Sequence, residues 1–300
     1  MYDLISVGSI SIDLYFGGKS LTRNKERFQL AIGGKYYGDY FHEDIGGGGC
    51  NVAVGVTKLG LRTAVFGKIG NNAFREVILK KLTDKNVSTE FCELENNYYK
   101  ISSILLTESG ERTIIHYETP SHLLKEFMLH RDLKKAKNIY FSPLEHLDLK
   151  EKKKMISYLK GDKTLTFVNL SAIDCRRPVK DLTSFFDALD VLIINSYEFA
   201  DLIKKPRTKI DLSKVRINLP YLKDRVLIVT DAGKGSYGYH NGVIYFQDVV
   251  KPKKIIDTTG CGDAYTAGFI AQYIKSRNIE SSMLQGAKYA AKKLERVGAN

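Results

Sequence analysis

The chain has 300 residues, is 43% hydrophobic and carries a formal net charge of +12. That length can bury one large α/β core or two smaller ones. No apolar run of about 18 residues occurs, so no membrane helix is expected. The lysines are scattered without interleaved aromatics, which argues against a nucleic-acid platform.

Cys50, Cys92, Cys175 and Cys261 form neither a C-x-x-C pair nor a zinc spacing. Unpaired thiols in a chain of this size point to a reducing cytoplasm. The N-terminal stretch MYDLISVGSISIDLYF holds Asp3 and no basic segment, so it reads as a strand and not as a leader.

The first apolar run is 4–8, LISVG. Asp13 follows soon after. An acid there can accept hydrogen bonds from substrate hydroxyls, or simply form a turn. Residues 14–45 are rich in Gly, Tyr and Phe and lack helical period. Gly46 to Gly49 then lead into helical periodicity over 51–60, with Asn51 early in it. Such glycines let backbone amides approach a ligand, and a helix start adds free N–H groups. The stretch is neither a Walker loop nor a dinucleotide fingerprint, so a flexible hinge stays equally open.

A strand-like run at 63–67 and a helix over 72–82 come next. Residues 90–118 look like strands, with YYKISSILLTESGERTIIHYET as a hairpin turning at ESGE. Two β segments inserted between α/β units predict a small sheet over the main one, a lid formed by about 14–45 and 90–118. An antiparallel edge extension is the plainer alternative.

Further strands are expected at 138–142, 164–170, 191–195 and 226–230, and helices at 149–160, 180–188, 196–204, 262–275 and 281–296. Apolar, non-alternating strands separated by helices imply a mostly parallel sheet covered on both faces, in one domain over 1–300. In such sheets ligands bind beyond the carboxyl ends of the strands. Asn195 ends one strand and Glu198 lies a turn further on. That pair can serve a hydrated magnesium ion, or cap a helix. Thr230 ends another strand, and Gly233 and Gly235 follow it, as a nucleotide contact or a hairpin turn. Finally, IIDTTGCGDAYTAGF places Gly260, Cys261 and Gly262 at a helix start, beside Asp263. Amides there can stabilise charge on a transferred phosphoryl group, and a carboxylate there can take a proton from an attacking hydroxyl. A simple helix cap is the alternative.

Taken in order, the early Gly-Ser…Asp strand, GGGGCN, GKIGNNAF at 67–74, NSYE, VTDAGKG and DTTGCGDAYTAGF resemble the PfkB (ribokinase-like) family of small-molecule kinases over nearly the whole chain. The resemblance implies a three-layer α/β/α fold with a mostly parallel central sheet and a small β lid. It implies ATP and Mg²⁺ as cofactors, with Asp263 as catalytic base and amides of Gly260, Cys261 and Gly262 as the anion hole. Asp13, Gly47, Gly48 and Asn51 would hold sugar hydroxyls. Asn195, Thr230, Gly233 and Gly235 would lie near the nucleotide, and Glu198 near Mg²⁺ through water. Asp257 and Thr259 fall where some members bind a monovalent cation such as K⁺. Lids in this family often pair between subunits, so a homodimer is an option.

The chain departs from the family in carrying Ala232 and Arg75 where glycine is common. It also has Gly48 and Cys50 where ribokinases have Lys and Ala. The expected substrate is a fructose- or pentose-like sugar. An adenosine-like nucleoside is the alternative, with Phe16, Tyr36, Tyr37 and Tyr117 as a base slot, and a non-catalytic sensor is the third reading.

Overall fold

A computed structural model describes the chain except for residues 26, 109–110, 121–132, 134–135, 145, 162–163, 216–221 and 223. Among the described residues a nine-stranded sheet runs in the order β15-β14-β13-β12-β11-β10-β1-β6-β7. Its parallel strands are β1 (Leu4–Val7), β6 (Thr63–Gly70), β7 (Ser88–Glu95), β10 (Asn138–Phe141), β11 (Leu165–Val168), β12 (Val191–Asn195) and β13 (Val226–Thr230). Two antiparallel strands, β14 (Ser236–His240) and β15 (Val243–Gln247), close one edge. Asn241 and Gly242 turn between them with φ of 48° and 78°, the left-handed pair that a tight hairpin takes.

The central strands are buried and mostly apolar because helices cover both faces. Along β12, Leu192 and Ile194 enter one core with Leu182 and Phe185 of α5 (Val179–Phe186) and Phe199 of α6 (Ser196–Leu202). Val191 and Ile193 enter the other. There they meet Val52 and Val56 of α1 (Gly48–Lys58), Phe269 and Ile270 of α7 (Cys261–Ser276) and Met283 of α8 (Ile279–Leu294). Alternate residues of one strand thus feed two cores, which makes three layers. The remaining helices are α2 (Arg75–Asp84), α3 (Leu149–Leu159) and the single turn α4 (Ala172–Cys175).

A smaller sheet has the order β5-β2-β8-β9, from β2 (Ser11–Gly17), β5 (Tyr40–Gly46), β8 (Lys100–Leu106) and β9 (Arg112–Glu118). Among the described residues, only a two-residue ladder, β3 (Arg23–Asn24) with β4 (Arg27–Phe28), interrupts the irregular stretch before β5. The expected lid range needs one correction. Residues 90–95 belong to β7, which pairs with β6 at the edge of the large sheet. An edge strand has one partner and one wet side, so its polar alternation looks like that of a lid strand. The tip of the β8–β9 hairpin, 109–110, lies outside the described residues. No helix among the described residues is long and apolar enough to cross a membrane.

Candidate active site

Between the small sheet and the carboxyl ends of β1 and β10 lies a cleft of about 450 Å³. Seven of the expected site residues line it together: Asp13, Gly47, Gly48, Asn51, Thr259, Gly260 and Asp263. The glycine run is needed for this convergence. Gly47 has φ 91°, and a Cβ on it would lie 2.5 Å from the carbonyl oxygen of Ser9. Only glycine lets the entry to α1 press against the link between β1 and β2.

Asp263 sits in the first turn of α7. Asn51 Nδ2 donates to its Oδ2 at 2.7 Å. Burial raises the Asp263 carboxyl to about 6; the Asn51 hydrogen bond opposes the shift and the charge of Asp13 adds to it. Gly260, before the helix, is left-handed with φ 70°; the Cys261 amide donates to the Thr258 carbonyl at 3.3 Å, and the amides of Gly262 and Asp263 follow at the helix start. Two buried polar atoms of cleft residues, Asn51 Oδ1 and Ser142 Oγ, have no hydrogen-bond partner among the described residues. Orphaned polar atoms beside a cleft suit a ligand carrying several hydroxyls.

Asp13 projects from β2 and accepts from Ser11 Oγ at 2.9 Å. It lies in register with Asp44 on one side and Ser102 on the other. Burial lifts its carboxyl above the usual range, with Asp44 adding to the rise and the Ser11 and Ser102 hydroxyls opposing it. The same face of the small sheet carries groups that motif reading missed. Ser102 Oγ is 3.2 Å from His116 Nδ1. Glu118 pairs with Lys100, and its Oε2 lies 3.6 Å from His146 Nε2, a residue on the loop after β10. Lys68 of β6 also lines the cleft and pairs with Glu95 at 2.6 Å. The signal was parity: Lys100 and Ser102 alternate along β8, as do Ile114, His116 and Glu118 along β9.

Parity also corrects the proposed base slot. Phe16 and Tyr117 fall on even and odd positions that pair away from Asp13 and His116, and neither they nor Tyr36 and Tyr37 line the cleft. All four are exposed. Arg75 opens α2 beside Asn71 and Glu76 and is likewise off the cleft.

The remaining expected residues gather outside that cleft. Asn195 and Thr230 are register partners at the carboxyl ends of β12 and β13. The Asn195 side chain accepts from the amides of Tyr197 and Glu198, and Glu198 Oε2 accepts from the Asn195 amide at 2.8 Å. This reciprocal capping box holds the start of α6. Burial pushes the Glu198 carboxyl up, against the Asn195 hydrogen bonds. Gly233 is exposed with nothing within 4 Å of an added Cβ, and Gly235 turns the chain into β14. Ala232 has φ 47°, a conformation that costs an L-residue about 1 kcal/mol. Cys261 is half-buried against the α7–α8 core, and Gly262 is exposed.

A family model described as pfkB family carbohydrate kinase matches residues 1–300. The chain belongs to that family. A probable chloroplastic fructokinase-6 of Arabidopsis thaliana is 29% identical over 246 residues. The match covers 77% of this chain and 63% of that relative, less than two thirds of its length. A nucleoside kinase of Methanocaldococcus jannaschii is 26% identical over 315 aligned residues, covering 99% of this chain and 92% of the relative. Among solved structures, an Arabidopsis thaliana ribokinase complexed with ribose and ATP superposes with a TM-score of 0.78 at 20% identity. That superposition covers 99% of this chain and 94% of the ribokinase. It has the same fold.

One family expectation does not fit the residues present. Asp257 and Thr259 were the expected seat of a monovalent cation. Asp257 is fully buried, and its Oδ1 already accepts from Thr259 N at 2.8 Å and Thr259 Oγ1 at 2.7 Å. Its Oδ2 accepts from Gly298 N at 3.0 Å, and the ammonium of Lys293 stands 3.5 Å away. Burial opposes ionisation, but the Thr259 bonds and then the Lys293 charge hold the Asp257 carboxyl below the usual range. Positive charge is thus already in place, and it is covalently attached.

Proposed function

We propose that this kinase transfers the γ-phosphoryl group of ATP to a hydroxyl of a free fructose- or pentose-like sugar, with Asp263 as general base. The observation that carries the reading is Asp263 itself. Its carboxyl near 6 is ionised at neutral pH yet basic enough to accept a proton. It also lies beside helix-start amides and shares the cleft with Asp13, Asn51 and Ser142, which would read hydroxyls. In the step, the hydroxyl proton passes to Asp263, the hydroxyl oxygen bonds to phosphorus, and ADP leaves. The amides of Gly260, Cys261 and Gly262 take up charge on the phosphoryl oxygens as it moves.

Nucleotide would approach over Asn195, Thr230, Gly233 and Gly235. Added Cβ atoms on Gly233 and Gly262 meet nothing within 4 Å, so backbone there is open to phosphate. Mg²⁺ would be held by Glu198 through water. Mg²⁺ takes few protein ligands and keeps several waters. When bound, it would neutralise charge on the phosphates. The small sheet acts as the lid that excludes water.

A coupled ADP-release assay with Mg²⁺ and ATP against fructose, ribose, adenosine and no acceptor tests this. Sugar-dependent turnover is expected. Turnover with adenosine alone would move the substrate to the nucleoside class, and tight sugar binding with no turnover would make the chain a sensor. A cytoplasmic setting, without nucleic-acid or membrane partners, is part of the same reading.

A homodimer through the lid is also part of it. Phe16, Phe41, Ile115 and Tyr117 are exposed on the face opposite Asp13. Sedimentation should show a dimer for the wild type and a monomer for Ile115→Lys. A monomeric wild type would remove this part.

A further inference from the structure

Lys293, in the last turn of α8, is 1% exposed. Burying an ammonium is costly unless oxygens replace its water. Three do so. Its Nζ donates to the carbonyl oxygen of Asp257 at 2.8 Å and to that of Arg296 at 3.4 Å, and Asp257 Oδ2 lies at 3.5 Å. An all-oxygen shell with one carboxylate is what a hard cation takes.

The surrounding bonds give this charge a task. Asp257 holds the Thr259 amide and hydroxyl, and Thr259 leads directly into left-handed Gly260 and the amides of α7. The end of α8 grips the same turn elsewhere. The Ile256 amide donates to the Leu294 carbonyl at 2.7 Å, and the Gly298 amide donates to Asp257. On Gly260, an added Cβ would touch Ala299. The anion hole is therefore built on a platform whose central charge is Lys293.

We propose that Lys293 is a positioning residue that serves as a built-in monovalent cation. Its ammonium fixes Asp257 and the turn that aims the α7 amides into the cleft. The kinase therefore needs no added K⁺, a consequence that rests on the kinase reading above, whereas the ammonium's place in the fold does not.

The test compares KCl, NaCl and choline chloride at one ionic strength. The wild type should turn over equally in all three, and should melt at one temperature in KCl and choline chloride. In Lys293→Ala, misaimed amides should lower kcat about 10²-fold, with the KM for sugar unchanged. Added K⁺ or methylammonium, each small enough for the vacated space, should restore part of the rate and raise the melting temperature; choline should do neither. Clear stimulation of the wild type by K⁺ would overturn the proposal. So would a folded Lys293→Ala with wild-type kcat, or one that neither K⁺ nor methylammonium restores. If Lys293→Ala does not fold, the wild-type cation series decides alone. If no acceptor supports turnover, the kinase reading fails, while the melting series still decides the role of Lys293.

Discussion

Asp263→Asn is expected to lower kcat by about 10³-fold while leaving the KM for sugar and ATP close to wild type. The amide keeps the shape of the carboxylate and a hydrogen-bonding oxygen toward Asn51, whose Nδ2 lies 2.7 Å from Asp263 Oδ2. What it loses is the capacity to accept the hydroxyl proton. The pH dependence follows from the same group. Burial raises the wild-type carboxyl to about 6, so protonation removes the base as pH falls through that value. kcat/KM should fall about tenfold per unit below it and stay flat above it. The residual rate of Asp263→Asn should lack this limb. Steady-state ADP release between about pH 5 and 8 reads both. A variant within about tenfold of wild type would show that another group takes the proton.

Gly260→Ala is the second large effect. At φ 70° an L-residue pays about 1–2 kcal/mol. The added Cβ would also lie 2.7 Å from Ala299 Cβ and 2.9 Å from its Cα. Either the 260–262 turn or the chain at 299 must move. On the proposed mechanism, movement of the turn would carry amides away from the transferring phosphoryl, and losing one such donor costs about 10²-fold or more in kcat. Gly60→Ala is the control. Gly60 has φ 87° and open space around an added Cβ, at the far end of α1. It should cost comparable stability with activity intact. Thermal melts beside kcat for the two variants separate backbone strain from damage to the anion hole. Equal activity in both would remove the amides of Gly260 to Gly262 from the mechanism.

The large sheet was legible because its strands are buried on both faces. VLIIN and VLIVT admit no polar residue before their carboxyl ends, and LISV admits only the small Ser6, so the runs announce themselves. Residues 90–95 were assigned to the wrong sheet because an edge strand and a lid strand share one requirement, a single dry side. The hairpin closing the opposite edge was only half seen, although Asn241-Gly242 marks its turn.

Within the site, Gly47, Asn51, Gly260 and Asp263 were legible because their chemistry is local: a glycine turn running into a helix start. His116, Glu118 and Lys68 were not, since each reaches the cleft through strand parity and sheet pairing that no short motif records. Lys293 was hidden for another reason. It reads as one more lysine in AAKKLE, yet its partner lies 36 residues away and the pair is fully buried. Long-range burial of one lysine among many leaves no mark on composition.

The route of the chain between the two sheets has a consequence for timing. Only Gly8, Ser9 and Ile10 separate β1 from β2, and only Gly47 separates β5 from α1. Any tilt of the small sheet against the large one must be absorbed partly at these joints. Gly8, Ser9 and Gly47 are themselves cleft walls. Pivot and reader are therefore the same few residues. An acceptor seated on them, as proposed above, would stiffen the joint it rests against, so acceptor occupancy and the tilt of the small sheet would become one variable. On the proposed function, such a kinase would act as a coincidence detector: nucleotide alone would leave the pivot loose, and ATP would be spared until an acceptor arrives.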